Sequence, residues 1–517
     1  MSASTEKKNR QAARAAGTDK KTLAAQEEAK KRAKSRRNWT LGTIGVVLLV
    51  ALILFLNSGF LYTHTTAATI NGQSYSPAEL NYYYANQYYT FVNQYGSYAS
   101  MFGLDTSAGV KGLDEQDCSM IDGTWRDYFL SAAETDALQT KLLCDYAAEN
   151  GITLTEDELA SVEAGFEGAD EAAKSQGYAN ADRLLSAMYG EGVNLKLALE
   201  EARVSALANK AVNTLFESFQ YSDSELKEKY DSYEGSQDLY DYIYYYVAAD
   251  TVETNGEDGA AKNEVTPETL AAAKQKAEAV AAGYKASEGE DFEARMNEAV
   301  AAVVEDASAY TQTGVKGANL GDYKQWLTDS SRKAGDITVV ESSSGTGYYV
   351  VVFVSHSDNN YNLAQVRHIL IKAAADANGE YTEEAKNTAK AMAESILDEF
   401  NAGDKSEESF AALAEKYSED AGSNTNGGLY DSIYKGQTVP EFDSFCFAPH
   451  KHGDVAIVYN ESTSYTGYHI IYYVGEGQNY RDYIAENDLR NAAVSDWLTA
   501  QTDAAVTSEG FGIKFVA

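Results

Sequence analysis

Positions 41–56 run almost free of polar side chains, and Phe60-Leu61-Tyr62 extends the run. With its flanks it approaches the ~20 residues that a helix needs to span a bilayer. Beyond it the spacing turns helical. Ser76-Pro77-Ala78-Glu79 combines a cap, a proline suited to the first helical turn and the acid of a capping box. Leu80, Tyr84, Tyr88 and Phe91 then recur at roughly helical intervals. Further helices are predicted over 125–150, where Gly151 supplies a stop, from Thr155, over 195–216 and after Ser222. Near residue 240 the pattern changes. Segments 241–250 and 345–351, and later 365–372 and 466–473, are rich in β-branched and aromatic residues and read as strands. Two helical patterns, 382–400 and 410–417, separate the last pair, and the chain closes on a helix over 479–502 and a strand over 512–516. The fold class is α+β multidomain.

The two strand-bounded regions resemble each other. Set one on the other, Tyr244 falls on His368, Phe292 on Phe410, Gly335-Asp336 on Gly453-Asp454 and Tyr349 on His469, with offsets of 118 to 124 residues. A nearly constant offset marks an internal duplication. In the first copy both histidines are tyrosine, and the position of Asp420 falls near Ala302.

Charge changes the picture at the ends. Residues 1–38 hold twelve Lys/Arg against four Asp/Glu, whereas the rest of the chain holds the remaining 30 of 42 basic and 74 of 78 acidic residues. A body that acidic excludes nucleic-acid binding, which needs a cationic footprint. Basic residues before an apolar run put the tail in the cytoplasm and the rest outside. An uncleaved anchor over 39–62 is the favoured reading, because a 38-residue leader is long for a signal peptide; cleavage near Ala67-Ala68 is the alternative. Cys118, Cys144 and Cys446 are too few for a disulfide framework, and Cys118–Cys144 pairing or three free thiols both stand.

His368 and His469 each sit among apolar strand residues. Alternation puts His368 on the face of Val366 and Leu370, and His469 on that of Gly467 and Ile471. The motifs around them are Val366-Arg367-His368-Ile369-Leu370, Tyr417-Ser418-Glu419-Asp420, Asn426-Gly427-Gly428, Gly436-Gln437-Thr438-Val439-Pro440-Glu441-Phe442 and Gly467-Tyr468-His469-Ile470-Ile471. In that order they resemble the parvulin family of peptidyl-prolyl cis/trans isomerases. The flanking layout resembles membrane-attached foldases of the PrsA and SurA type.

The resemblance implies a domain plan: a basic tail (1–38), a transmembrane anchor (39–62), a helical chaperone-like module (63–235), a degenerate parvulin-like domain (236–358), the isomerase domain (361–476) and a C-terminal segment (477–517) that packs on the helical module. It implies His368 and His469 as the central pair, with Ser464 and Thr466 supplying hydroxyls that steady it and Asp420 beside the rotating carbonyl. Phe442 is implied as the proline-pocket aromatic, with Ile433, Gln437 and Thr438 as further substrate-binding positions; Thr438 stands where the family usually has Met. The loop Ala373-Ala374-Ala375-Asp376 lacks a basic cluster, which argues against selectivity for phosphorylated substrates. The implied partners are unfolded secreted proteins and the membrane, with no cofactor and no metal. His450 and His452 share a loop without further ligands, and Gly427-Gly428 has no phosphate-loop context.

The chemistry fits such residues. Amide resonance sets a barrier of ~18–20 kcal/mol to rotation, and X–Pro exchange takes tens to hundreds of seconds uncatalysed. A catalyst needs no nucleophile, only a site that favours the twisted over the planar amide. The rival reading is a holdase whose parvulin-like domains only bind peptides.

Overall fold

The computed structural model describes residues 59–517 except 108, 256–260, 377–378 and 463, together with 3–16 and scattered positions between 24 and 51. The expected anchor at 39–62 falls partly outside the described residues. Among the described residues, no helix is long and apolar enough to cross a membrane. The rest mixes helices and strands and divides into two compact units, residues 1–219 with 492–517 and residues 220–491.

The first unit is mainly helical. Ser76 and Glu79 form the expected capping box at the head of the helix Pro77–Tyr95, and Thr124 with Asp127 does the same for Trp125–Glu149. The tyrosine stripe of the first helix faces inward: Tyr83, Tyr84 and Tyr88 are buried with Phe91, Trp125 and Phe129. Their rings meet mostly edge to face, as at Tyr84–Phe129 and Phe91–Trp125, an arrangement that adds quadrupolar attraction to area burial. The C-terminal residues complete this unit. Trp497 meets Tyr146 edge-on, Val516 is buried in the same core, and the Arg126 guanidinium donates to the Val516 and Ile513 carbonyls.

The predicted strand at 512–516 is a correction. Phe511–Phe515 is a 3-10 turn, and the strand lies earlier, at Thr507–Glu509, paired with Ala68–Ile70. Gly510 and Gly512 crowd onto Thr65 and Thr66, where a Cβ would come within 2.4 Å and 2.6 Å of an oxygen. That approach bends the chain out of extension just where alternation alone predicts a strand.

The second unit holds two four-stranded antiparallel sheets with one topology. In the first, the order is Tyr310–Lys316, Leu239–Ala248, Gly347–Ser357, Ile337–Glu341. In the second it is Leu429–Ile433, Asn362–Lys372, Thr466–Asn479, Val455–Glu461. Register sharpens the duplication. His469 pairs with Leu370 and His368 with Ile471; Tyr349 pairs with Tyr246 and Tyr244 with Val351. Tyr244 and Tyr349 therefore hold the same diagonal positions as the two histidines.

Alternation sorts the second sheet's faces. Ile369, Ile371, Ile470 and Tyr472 pack under the helices Glu383–Ala402 and Glu407–Tyr417. Val366, Ile471 and Tyr473 look the other way, toward the short helix Pro440–Cys446. His368 and His469 belong to this second face by the same parity. All three cysteines are free thiols.

Candidate active site

His368 and His469 come from the two central strands and are both buried. Their Nδ1 atoms lie 3.2 Å apart. His368 Nε2 reaches Asp420 Oδ2 at 2.9 Å. The same carboxylate oxygen accepts from the Ser423 hydroxyl at 2.5 Å and the Tyr430 hydroxyl at 3.0 Å. On the far side, the Tyr465 hydroxyl lies 2.9 Å from His469 Nε2. Phe442 stands edge-on to both imidazoles, with centroids 5.4 Å from His368 and 5.2 Å from His469.

The turn that delivers Asp420 is built locally. The helix Glu407–Tyr417 ends at Ser418, whose hydroxyl accepts from the Leu370 amide, and the Glu419 amide donates to the Leu370 carbonyl. This locks the turn to the His368 strand. Gly428 then lets the next strand come alongside. It has φ +74°, and a Cβ there would lie 2.3 Å from the His368 carbonyl oxygen. Only glycine combines that conformation with that approach.

Electrostatics fix the protons. The His368 hydrogen bond, joined by those of Ser423 and Tyr430, holds the Asp420 carboxyl well below the usual carboxylate range against the opposing effect of burial. Burial, with His368 beside it, lowers His469 to about 3, so its imidazole is neutral at physiological pH. An ionised Asp420 can only accept. One arrangement of donors then satisfies the contacts: Tyr465 O–H to His469 Nε2, His469 Nδ1–H to His368 Nδ1, and His368 Nε2–H to Asp420. Each tautomer is set by the next partner along the chain.

Three of the sequence-predicted residues thus meet, and Phe442 walls them. Others lie elsewhere. Thr466 is buried with its Oγ1 unpartnered, and Ser464 is exposed, its amide bonded to Ser462 Oγ. Neither steadies the pair as expected. Tyr465, just before the strand Thr466–Asn479, does so at the His469 end, whereas Thr466 within the strand is out of phase with His469. Ile433 is buried in the apolar cluster of Phe442, opposite Ala364. Gln437 is exposed and closes a turn, its Oε1 accepting from the Tyr434 amide at 3.0 Å. Thr438 keeps a buried, unpartnered Oγ1. Ser423, Tyr430 and Tyr465 were not singled out from the sequence. Ser423 follows Asp420 by three residues, and Tyr465 lies between the two hydroxyl positions that the resemblance implies.

Among the described residues, no cluster of three His, Cys, Asp or Glu could hold a metal. His450 packs on Phe445 at 4.1 Å, while His452 turns to the Val474 carbonyl and the Tyr472 hydroxyl.

Residues 348–476 match the family model described as the PPIC-type PPIASE domain. The chain carries a PPIC-type peptidyl-prolyl isomerase domain. The match starts upstream of the expected boundary at 361 and takes in the end of the first sheet. The chain is also similar to curated chaperones. It is 36% identical over 116 residues to the chaperone SurA of Pseudomonas fluorescens strain Pf0-1, covering 22% of this chain and 24% of the relative. Over 190 residues it is 27% identical to the chaperone SurA of Alcanivorax borkumensis, covering 35% and 39%. The chain thus spans about a quarter to two fifths of the length of these relatives. Among solved structures, PrsA from Bacillus subtilis aligns over 77% of this chain and 90% of its own at 13% identity, with a TM-score of 0.28. PrsA from Bacillus cereus aligns over 28% and 49% at 26% identity, with a TM-score of 0.18.

Proposed function

We propose that this protein is an extracytoplasmic foldase. It isomerises X–Pro bonds of unfolded secreted chains at the isomerase domain and holds those chains with its helical unit. The observation that carries the reading is the proton-ordered chain Tyr465–His469–His368–Asp420 beneath the edge of Phe442. No group in it is a free nucleophile. An aromatic edge and two buried imidazoles make an apolar seat for a proline ring. Desolvating the amide there weakens the resonance that keeps it planar, because that resonance places negative charge on oxygen. The ionised Asp420 adds to this by disfavouring that charge in the planar state. The basic tail and the apolar run after it support attachment to a membrane with the bulk of the chain outside.

The test is prolyl isomerisation of a proline-containing tetrapeptide in a protease-free assay, with the full-length chain and its His469→Ala variant. Catalysis lost in the variant is expected. A folded chain without catalysis would leave a holdase, the reading that the first sheet favours, since Tyr244 and Tyr349 show the fold kept without either histidine.

A further inference from the structure

The helical unit exposes a patch that the isomerase chemistry does not use. The 3-10 helix Gly96–Phe102 places residues three apart on one edge. Tyr98 and Met101 occupy the outer edge, 66% and 78% exposed, while Ala99 and Phe102 turn in toward Phe91. A second turn is pinned beside it. The Cys118 amide donates to the Gly123 carbonyl, and the Ser119 hydroxyl donates to the Phe102 carbonyl at 2.7 Å. Its tip carries Met120 and Ile121, 46% and 41% exposed. Two short segments bearing large exposed apolar side chains are therefore joined by the Ser119–Phe102 hydrogen bond beside a buried aromatic core. Contiguous exposed patches of this kind mark interaction sites, and methionines let one surface fit many partners.

The rim is anionic. Asp117 and Asp122 flank the apolar tip in the same turn, and the exposed Asp105, Asp114 and Glu115 fill the intervening loop, against one exposed Lys111. Resting on the client-holding half of the proposed function, we infer that this patch binds short apolar segments of unfolded polypeptide flanked by Lys or Arg. Charge decides the occupant. A second copy would press like-charged rims together, and an anionic lipid surface would be repelled.

Fluorescent 14-residue peptides with a Leu/Phe centre and either Lys or Glu flanks, titrated into the full-length chain and read by anisotropy, test this. The Lys-flanked peptide is expected to bind about tenfold tighter than the Glu-flanked one. Met101→Ser/Met120→Ser/Ile121→Ser should lose about tenfold for the Lys-flanked peptide, and Asp117→Asn/Asp122→Asn should narrow the preference. A photo-crosslinking residue at position 101 should capture the peptide, and one at the exposed Lys196 on another helix should not. Equal binding by the triple variant, indifference to flank charge, or no capture from position 101 overturns the inference while leaving client holding intact. Binding of phosphatidylglycerol vesicles in place of peptide would also overturn it. Failure to bind any peptide would remove the client-holding half as well; tetrapeptide isomerisation, measured on the same samples, reports separately on the isomerase half.

Discussion

Asp420 accepts three donors at one carboxylate oxygen, and rotation of the imidazole beside it would break one of them. The same logic runs outward to Tyr465, the last donor in the chain. Tyr465→Phe leaves His469 Nε2 without its partner. It should lower kcat/KM for a proline tetrapeptide about fivefold, the worth of one hydrogen bond of about 1 kcal/mol, and admit the second tautomer of His469 in nitrogen-15 NMR spectra. In the unaltered protein those spectra should show a neutral His469 from pH 8 down to pH 5, because its folded-state value lies near 3. The unfolded chain protonates this histidine near its ordinary 6.5, so between about 6.5 and 3 the unfolded state binds more protons and stability falls as pH falls. Asp420, also depressed, adds a loss of the same sign at lower pH, below its ordinary 3.8. His469→Gln should therefore flatten the first part of the acid decline in urea melts and leave the second. Residue identity revealed the two histidines and Asp420 through short motifs. It did not reveal Tyr465 or Tyr430, since a tyrosine in a chain with 38 of them carries no mark until its neighbours are known.

Strands were legible where parity was clean. Period-two alternation placed His368 with Val366 and His469 with Ile471 on the site face, as the two cores on either side of the sheet show. It failed at the chain's last strand, where Gly510 and Gly512 allow an approach to Thr65 and Thr66 that no local pattern encodes. Helix starts read well because caps are local chemistry: Ser76 and Thr155 both close capping boxes with the acids three residues on. Asn426-Gly427-Gly428 is legible as a motif but not as a support for the site. Gly428→Ala must place a Cβ 2.3 Å from the His368 carbonyl oxygen at a left-handed φ. It should destabilise the unit by at least about 2 kcal/mol and reduce isomerisation through the displaced His368 strand; denaturant melts and tetrapeptide kinetics on one preparation check both.

The two units each hold a buried group that links stability to pH, His469 in one sense and Glu201 in the other. In the helical unit Glu201 is buried, bonded to the Tyr83 hydroxyl at 2.9 Å, and burial first of all raises its carboxyl to about 7. Here the folded state binds the extra proton between about 4.5 and 7, so stability falls as pH rises. Ionising it costs on the order of 3 kcal/mol. Glu201→Gln keeps an acceptor for Tyr83 and should raise the melting temperature of this unit at pH 8 while changing little at pH 5. Calorimetry across that range should show the helical transition moving down and the isomerase transition up as pH increases.

The helical unit also reaches across the chain's length for its last pieces. Arg126 waits for the carbonyls of Ile513 and Val516, and Val516 fills the core that Trp125 and Phe129 begin. A ribosome delivers residue 126 nearly four hundred residues before residue 516. Residues 220–491, by contrast, are contiguous. During synthesis the isomerase unit therefore has all of its residues while the helical unit still waits for its last pieces.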